Sequence, residues 1–207
     1  MTKKDGSKRL DPNRRTFMRF VLSGVLAGVA APGLLRGAAA HAAEPALEGK
    51  KLLVAYYSRT GNTRAMAEVI HAAVGGDIIE IKTVKPYPSE YRATTQQAKE
   101  ELESGYKPPL STKIEGMAAY DVVFVGSPCW WGTICTPMIS FLAENDMSGK
   151  TLVPFMTHKG SGMGRTMGHV RSLCPNATLK DGLAIGDGEV GPSHERIATW
   201  LRGLGIA

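Results

Sequence analysis

The sequence predicts a doubly wound α/β domain, a five-stranded parallel sheet of order 2-1-3-4-5 with helices on both faces. Three observations predict it. Short apolar, β-rich runs alternate with segments of helical spacing across residues 51–204, the pattern of successive βαβ units. One run, Tyr120 to Gly126, is apolar almost throughout, as strands buried on both faces are. A polar, hydroxyl-rich hexamer joins the first run to the first helical segment, at the place where such sheets bind anions.

Taken in order, Lys51 to Tyr57 is the first strand, and a helix runs from Arg64 to Val74 after the loop 58–63. Asp77 to Lys82 is the second strand, Tyr120 to Gly126 the third, Thr151 to Thr157 the fourth, and Leu179 to Ile185 the fifth, interrupted by Gly182. Helices follow the third strand (Thr136 to Glu144), the fourth (Arg165 to Leu173) and the fifth (Ser193 to Leu204). Ser193 reads as an N-cap, with Glu195 in the first turn against the helix dipole. Pro154 has no N–H to give to a ladder, which predicts a bulge or an unpaired position inside the fourth strand. In residues 83–119, Pro86, Pro88, Pro108 and Pro109 bracket a charged helix from Ser89 to Ser104. It reads as an insertion that covers the sheet with Tyr91, Ala98 and Leu102 turned inward, without chemistry of its own.

The net charge of +6 is carried by residues 1–42, where eight basic groups face two acids. The rest of the chain holds 17 of each sign and is neutral, so a nucleic-acid partner is not expected. The leader runs from a basic stretch through Asn13-Arg14-Arg15-Thr16-Phe17-Met18-Arg19 into a weakly apolar segment and then Ala40-His41-Ala42. This is the three-part order of a secretory signal with an A-x-A site, and the paired arginines resemble the twin-arginine signal. Gly24, Gly28, Pro32 and Gly33 make the apolar segment a poor spanning helix, so no stable membrane anchor is expected. The expectation is a signal peptide over 1–42, export through the twin-arginine machinery to the periplasm, and a mature domain over 43–207.

Three loops at the carboxyl ends of strands carry the candidate chemistry. Ser58-Arg59-Thr60-Gly61-Asn62-Thr63 offers backbone N–H groups, three hydroxyls and an amide to a phosphate, and it lacks both the P-loop and the dinucleotide pattern. The other reading is a polar loop rich in helix-capping residues. Pro128-Cys129-Trp130-Trp131-Gly132 follows the third strand with two adjacent tryptophans suited to a flat ligand, or else to the core beneath a helix. Thr157-His158-Lys159-Gly160-Ser161-Gly162 follows the fourth, and Gly160 and Gly162 permit a ligand edge to approach the backbone. Strands one and three flank the switch point in this strand order, which brings the loops to one crevice.

On these motifs the chain resembles the flavodoxin family, which binds FMN at such a three-loop site. Ser58 to Thr63 is similar to that family's Thr-x-Thr-Gly-x-Thr phosphate loop, with Ser in the first place. The resemblance implies that Trp131 packs on the inner face of the flavin and that Thr157 to Gly164 lines its pyrimidine edge. Many relatives cover the outer ring face with an aromatic from that last loop, and here only Met163 is present.

His71, His158, His169 and His194 are not spaced as metal pairs, although His158 is placed to donate to a flavin oxygen. Cys129 and Cys135 flank the tryptophans, either bridged or as free thiols, and Arg59 either contacts phosphate or faces water. The implied function is an exported FMN protein that passes electrons between redox protein partners. The alternatives are an FMN-dependent reductase of a quinone-like or other small molecule, and a flavodoxin-like binding module without flavin. The carrier reading rests on Gly132, a glycine that can rotate its peptide at little steric cost and let a carbonyl turn toward flavin N5, which would favour a one-electron reduced state. Replacing Arg14 and Arg15 with lysine is expected to leave the precursor uncut in the cytoplasm, as read by cell fractionation. Undiminished appearance of mature protein outside would remove the twin-arginine assignment.

Overall fold

The computed structural model describes residues 49–205. The leader and its cleavage site lie outside the described residues. Strands β1 (Leu52–Tyr56), β2 (Asp77–Glu80), β3 (Val122–Trp130) and β5 (Thr151–His158) form the parallel body of the sheet. The short edge strands β6 (Thr178–Leu179) and β7 (Leu183–Gly186) both pair with β5, so the order is β2-β1-β3-β5 followed by this divided edge. The doubly wound fold and the predicted strand order are therefore present, with the fifth strand in two pieces. A two-residue strand, β4 (Thr133–Ile134), folds back antiparallel on the end of β3.

Alternation along the strands builds one core on each face. Val54, Phe124 and Phe155 meet Met66 and Ile70 of α1 (Asn62–Val74) and Ile197 and Leu201 of α5 (His194–Gly203). Leu53, Val123 and Leu152, on the other face, meet Met138, Phe141 and Leu142 of α3 (Thr136–Glu144) and Val170 of α4 (Thr166–Leu173). The insertion supplies α2 (Tyr91–Ser104), whose N-terminus is capped by Glu90, its carboxylate accepting from the N–H groups of Arg92 and Ala93. Those two bonds hold the Glu90 carboxyl below its ordinary range.

Several boundaries differ from expectation for physical reasons. Pro154 keeps its register opposite Val125 in β3. Of the two expected outcomes the unpaired position is the one found, on its outer side, where β6 ends opposite Leu152 and β7 starts opposite Phe155. The missing N–H is thus accommodated by breaking the edge strand rather than by bulging β5. Ser193 precedes α5, but its side chain makes no capping bond, since a 3-10 turn over Gly191–Ser193 leads into the helix. Tyr91 does not turn inward. It is 55% exposed, while Thr94, Ala98 and Glu101 form the buried stripe of α2. Among the described residues no helix is long and apolar enough to cross a membrane.

Gly126 sits mid-sheet between Tyr56 and Phe155, and a Cβ there would run into the Phe155 ring and Tyr56 Cβ. Gly126→Ala is expected to destabilise the domain by ~1–3 kcal/mol through overpacking, measured by denaturant unfolding. A change below ~0.5 kcal/mol would show that the Phe155 ring gives way freely.

Candidate functional site

The first loop is built around an uncapped helix. Gly61 occupies the N-cap position of α1 at φ 93° and brings no side chain to the first-turn N–H groups, which keep their capacity for an external anion. Ser58 supports the turn from outside the pocket, its Oγ accepting from Gly61 N–H at 3.1 Å. Thr63 Oγ1 lies 2.8 Å from Thr157 Oγ1, both side chains buried, and this bond ties the start of α1 to the third loop. Arg59 is half-buried and lines the cleft beside this loop. Its Nη1 donates to Ser89 O at 3.2 Å and its guanidinium lies 5.7 Å from the centre of the Tyr91 ring.

The second loop is largely strand. β3 continues through Pro128, Cys129 and Trp130, and only Trp131 and Gly132 form the turn into β4. Both have positive φ, 51° and 74°, as two-residue hairpin turns that match strand twist require. Trp131 is the one non-glycine residue with positive φ among the described residues. The two tryptophans part company. Trp130 packs edge-on against Tyr57 and Tyr87, at 5.5 and 5.0 Å between ring centres. Trp131 is 51% exposed, its Nε1–H donating to Thr95 O at 2.9 Å and Lys99 Nζ lying 5.6 Å from its ring centre. Gly132 O accepts from Arg165 N–H at 2.7 Å, so this carbonyl is engaged rather than free to rotate.

In the third loop His158 Nδ1 accepts from Gly160 N–H at 3.0 Å, which leaves Nε2 to carry the proton of the neutral ring. Gly160 and Gly162 hold positive φ, 99° and 59°, and shape the loop without lining the cleft. His158 O accepts from Asp187 N–H at 2.7 Å and so draws the loop after β7 to the site. Ser161 Oγ donates to Cys129 Sγ at 3.2 Å. All three cysteines are free. Burial pushes the Cys135 thiol up to about 12, which makes it inert as a nucleophile.

These elements enclose a cleft of about 550 Å³. Of the predicted residues, Arg59, Thr60, Asn62 and Thr63 line it, as do Pro128, Cys129, Trp130, Trp131 and Gly132, together with Thr157 and His158. Ser58, Gly61, Gly160 and Gly162 stand behind it. The sequence reading missed the fourth wall, in which Tyr91, Thr94, Thr95 and Ala98 of α2 face the cleft, and it did not single out Lys159, Ser161 or Asp187. The insertion therefore takes part in the site. Its signal was present in the spacing of Tyr91, Thr95 and Ala98, which share one helical face. Among the described residues no cluster of side chains suits a metal ion.

Residues 51–204 match the family described as Flavodoxin, and the chain belongs to the flavodoxin family. Among solved structures it is similar to a chain from Bacteroides eggerthii assigned as a flavoprotein, with 31% identity, a TM-score of 0.68, and coverage of 76% of this chain and 99% of that one. A flavoprotein of Lactobacillus acidophilus in complex with FMN is 25% identical at a TM-score of 0.57, over 69% of this chain and 97% of that one. An NAD(P)H dehydrogenase (quinone) of Cupriavidus metallidurans is 34% identical over 96 residues, 45% of this chain and 46% of that protein. A second protein of that name, from Rhizobium meliloti, is 32% identical over 109 residues, 48% and 49% of the two chains. The chain thus spans about half the length of the curated relatives it matches.

What fixes the fourth wall is a carboxylate. Glu101, 6% exposed, accepts from Tyr87 OH at 2.5 Å, Thr136 Oγ1 at 2.6 Å and Gln97 Nε2 at 2.8 Å. Burial and this carboxylate together push the Tyr87 phenol up and keep it neutral. Glu101→Ala would strand these donors and is expected to cost ~2–4 kcal/mol, with Glu101→Gln milder. Equilibrium unfolding measures it, and an Ala variant as stable as wild type would show that α2 is held by something else.

Proposed function

We propose that this chain is an FMN-dependent oxidoreductase that reduces a small quinone-type acceptor, and that it works after export to the periplasm. The observation that carries the proposal is the uncapped N-terminus of α1, ringed by Thr60, Asn62 and Thr63 at the switch point of the sheet. This donor set is neutral apart from the helix dipole, and it suits a terminal phosphate monoester. Beside it the tryptophan turn and the third loop line the same cleft of about 550 Å³, which has room for a flat ring. Bound FMN supplies the acceptance and donation of hydride.

The protein's part is to bind, orient and select. First-turn amides of α1 hold the phosphate, and the Thr63–Thr157 bond keeps that terminus in register with the third loop. His158 offers Nε2–H as a donor at the cleft wall. Arg165 holds the Gly132 carbonyl in place, and turning it toward a ring nitrogen would forfeit that bond, about 1 kcal/mol in net terms. This bond weighs against the one-electron carrier and supports two-electron turnover. The half-exposed Trp131 and Tyr91 at the mouth favour a ligand that stacks. Support from relatives is of the same kind, since two carry the name NAD(P)H dehydrogenase (quinone). The leader's paired arginines support export in the folded, cofactor-loaded form.

FMN, rather than FAD, is expected to copurify at about one per chain, because the cradle lacks the dinucleotide pattern. Stepwise anaerobic reduction is expected to pass directly to the two-electron reduced flavin, and a quinone to reoxidise it rapidly. A colourless protein that takes up no FMN would overturn the cofactor assignment. Persistent long-wavelength absorption of a one-electron reduced flavin, with slow quinone turnover, would restore the carrier.

A further inference from the structure

We infer that the cleft mouth carries a second anion site, formed by Arg59 and Lys159 around the exposed ring of Tyr91, and that it selects flat aromatic acceptors bearing a negatively charged substituent. The inference rests on the quinone-reductase reading above and adds the charge of the acceptor and the residues that recognise it.

Two cations share one ring. Arg59 Cζ lies 5.7 Å and Lys159 Nζ 5.4 Å from the centre of Tyr91, within the range of cation–π contact. Among the described residues neither forms an ion pair, since the pairs present involve other groups. Two acids lie near. Glu90 keeps its charge while accepting from the N–H groups of Arg92 and Ala93 and is attracted electrostatically to Arg59, and Asp187 lines the cleft from the loop after β7. Along the mouth, Lys99 lies over the second exposed ring, Trp131, and Arg165 Nη2 donates to Trp131 O at 3.4 Å. Lys99 is paired with Glu103, and Arg59, Lys159 and Arg165 leave positive charge along this edge of the cleft, which draws anions toward it.

This charge is not needed for the cofactor phosphate. That group has the uncapped α1 terminus, and the Arg59 guanidinium turns away to Ser89 O. An exposed aromatic ring beside unpaired cations suits a ligand with a π-face and an anionic group attached to it. A cleft of about 550 Å³ that also holds the cofactor favours a compact ring system over a dinucleotide. In turnover the reduced flavin gives up two electrons and two protons, and the two quinone carbonyls become the hydroxyls of the hydroquinone. The anionic substituent takes no part in the redox change and serves recognition alone.

The test uses the FMN-loaded protein, reduced anaerobically with stoichiometric dithionite and mixed by stopped flow with a naphthoquinone sulfonate or with uncharged menadione. The readout is the ratio of the two reoxidation rates. Lys159→Glu is expected to lower that ratio roughly tenfold, Lys159→Gln by roughly threefold, and added salt to slow only the sulfonate in wild type. A ratio unchanged within about twofold in both variants, with both quinones still reacting, would overturn the anion site and leave the reductase standing. If neither quinone reoxidises the flavin, the reductase reading fails. Binding of redox-inert naphthalene sulfonate then decides the site. Salt-sensitive binding that Lys159→Glu weakens upholds it, and absence of binding overturns it. Loss of FMN affinity in Lys159→Glu matching the loss for the sulfonate would also overturn it, by assigning the cation to the cofactor.

Discussion

The fourth wall of the cleft depends on one buried carboxylate. Helix α2 has little apolar surface to offer, since its buried stripe is Thr94, Ala98 and Glu101, and area burial alone would hold it weakly. Glu101 supplies what is missing by gathering donors from three places: Gln97 on its own helix, Tyr87 from the approach to it, and Thr136 at the start of α3. A carboxylate removed from water costs several kcal/mol unless its lone pairs are used, and here the bonds that use them are also the bonds that dock the insertion. Position and partner are thereby fixed together, because a shift of α2 along α3 would strand the charge. From this anchor follow the places of Thr95, which receives the Trp131 indole N–H, and of Tyr91, which lies beneath Arg59 and Lys159.

The strand that faces this wall is shaped by a different constraint. β3 runs past the ends of its pairing with β1 and β5 and can close only by turning back on itself through Trp131 and Gly132. Alternation then sends the two tryptophans apart. Trp130 goes to the cluster of Tyr57 and Tyr87, whose phenols are pushed up by burial, and Trp131 goes to the mouth. Structural and exposed roles are thus divided between neighbours by strand geometry, with no help from composition.

The periodicity of the strands and helices made the sheet order legible, and the three loops followed from it, because the switch point of a doubly wound sheet is a property of topology. Eleven of the residues read from those loops line the cleft. The insertion was illegible for a specific reason. Ala98 and Leu102 were rightly read as inward, but the buried stripe also holds the polar Thr94 and Glu101 while position 91 is an exposed aromatic, an inversion that a hydropathy reading cannot sort. Only the tertiary partners explain the inversion: Tyr87 and Thr136 for Glu101, cations for Tyr91. Pro154 was read as either a bulge or an unpaired position, and the unpaired position is what the fold shows, on the side of the divided edge strand, a choice that a missing donor alone does not decide. Lys159 stood inside a loop already singled out, and its contact with Tyr91 was hidden because that ring lies in a segment thought inert.

The turn at the cleft bears on the kind of electron chemistry the fold permits. A tryptophan at φ 51° costs on the order of 1 kcal/mol relative to ordinary backbone, and such a conformation persists only where the surroundings determine it more than once. They do so here: the indole N–H is tied to Thr95, the Trp131 carbonyl to the Arg165 side chain, and the Gly132 carbonyl to the Arg165 main chain. The opposing loop closes in through Gly164, where any Cβ would collide with the Gly132 carbonyl. A peptide that switches orientation with redox state needs two arrangements close in energy. This turn is pinned from three directions in one of them, and rotating it would lose the Arg165 bond while straining a backbone already in a costly region. On the proposed reading, such a site would discriminate by what enters the cleft mouth, through the aromatic and cationic residues there rather than through a flexible peptide.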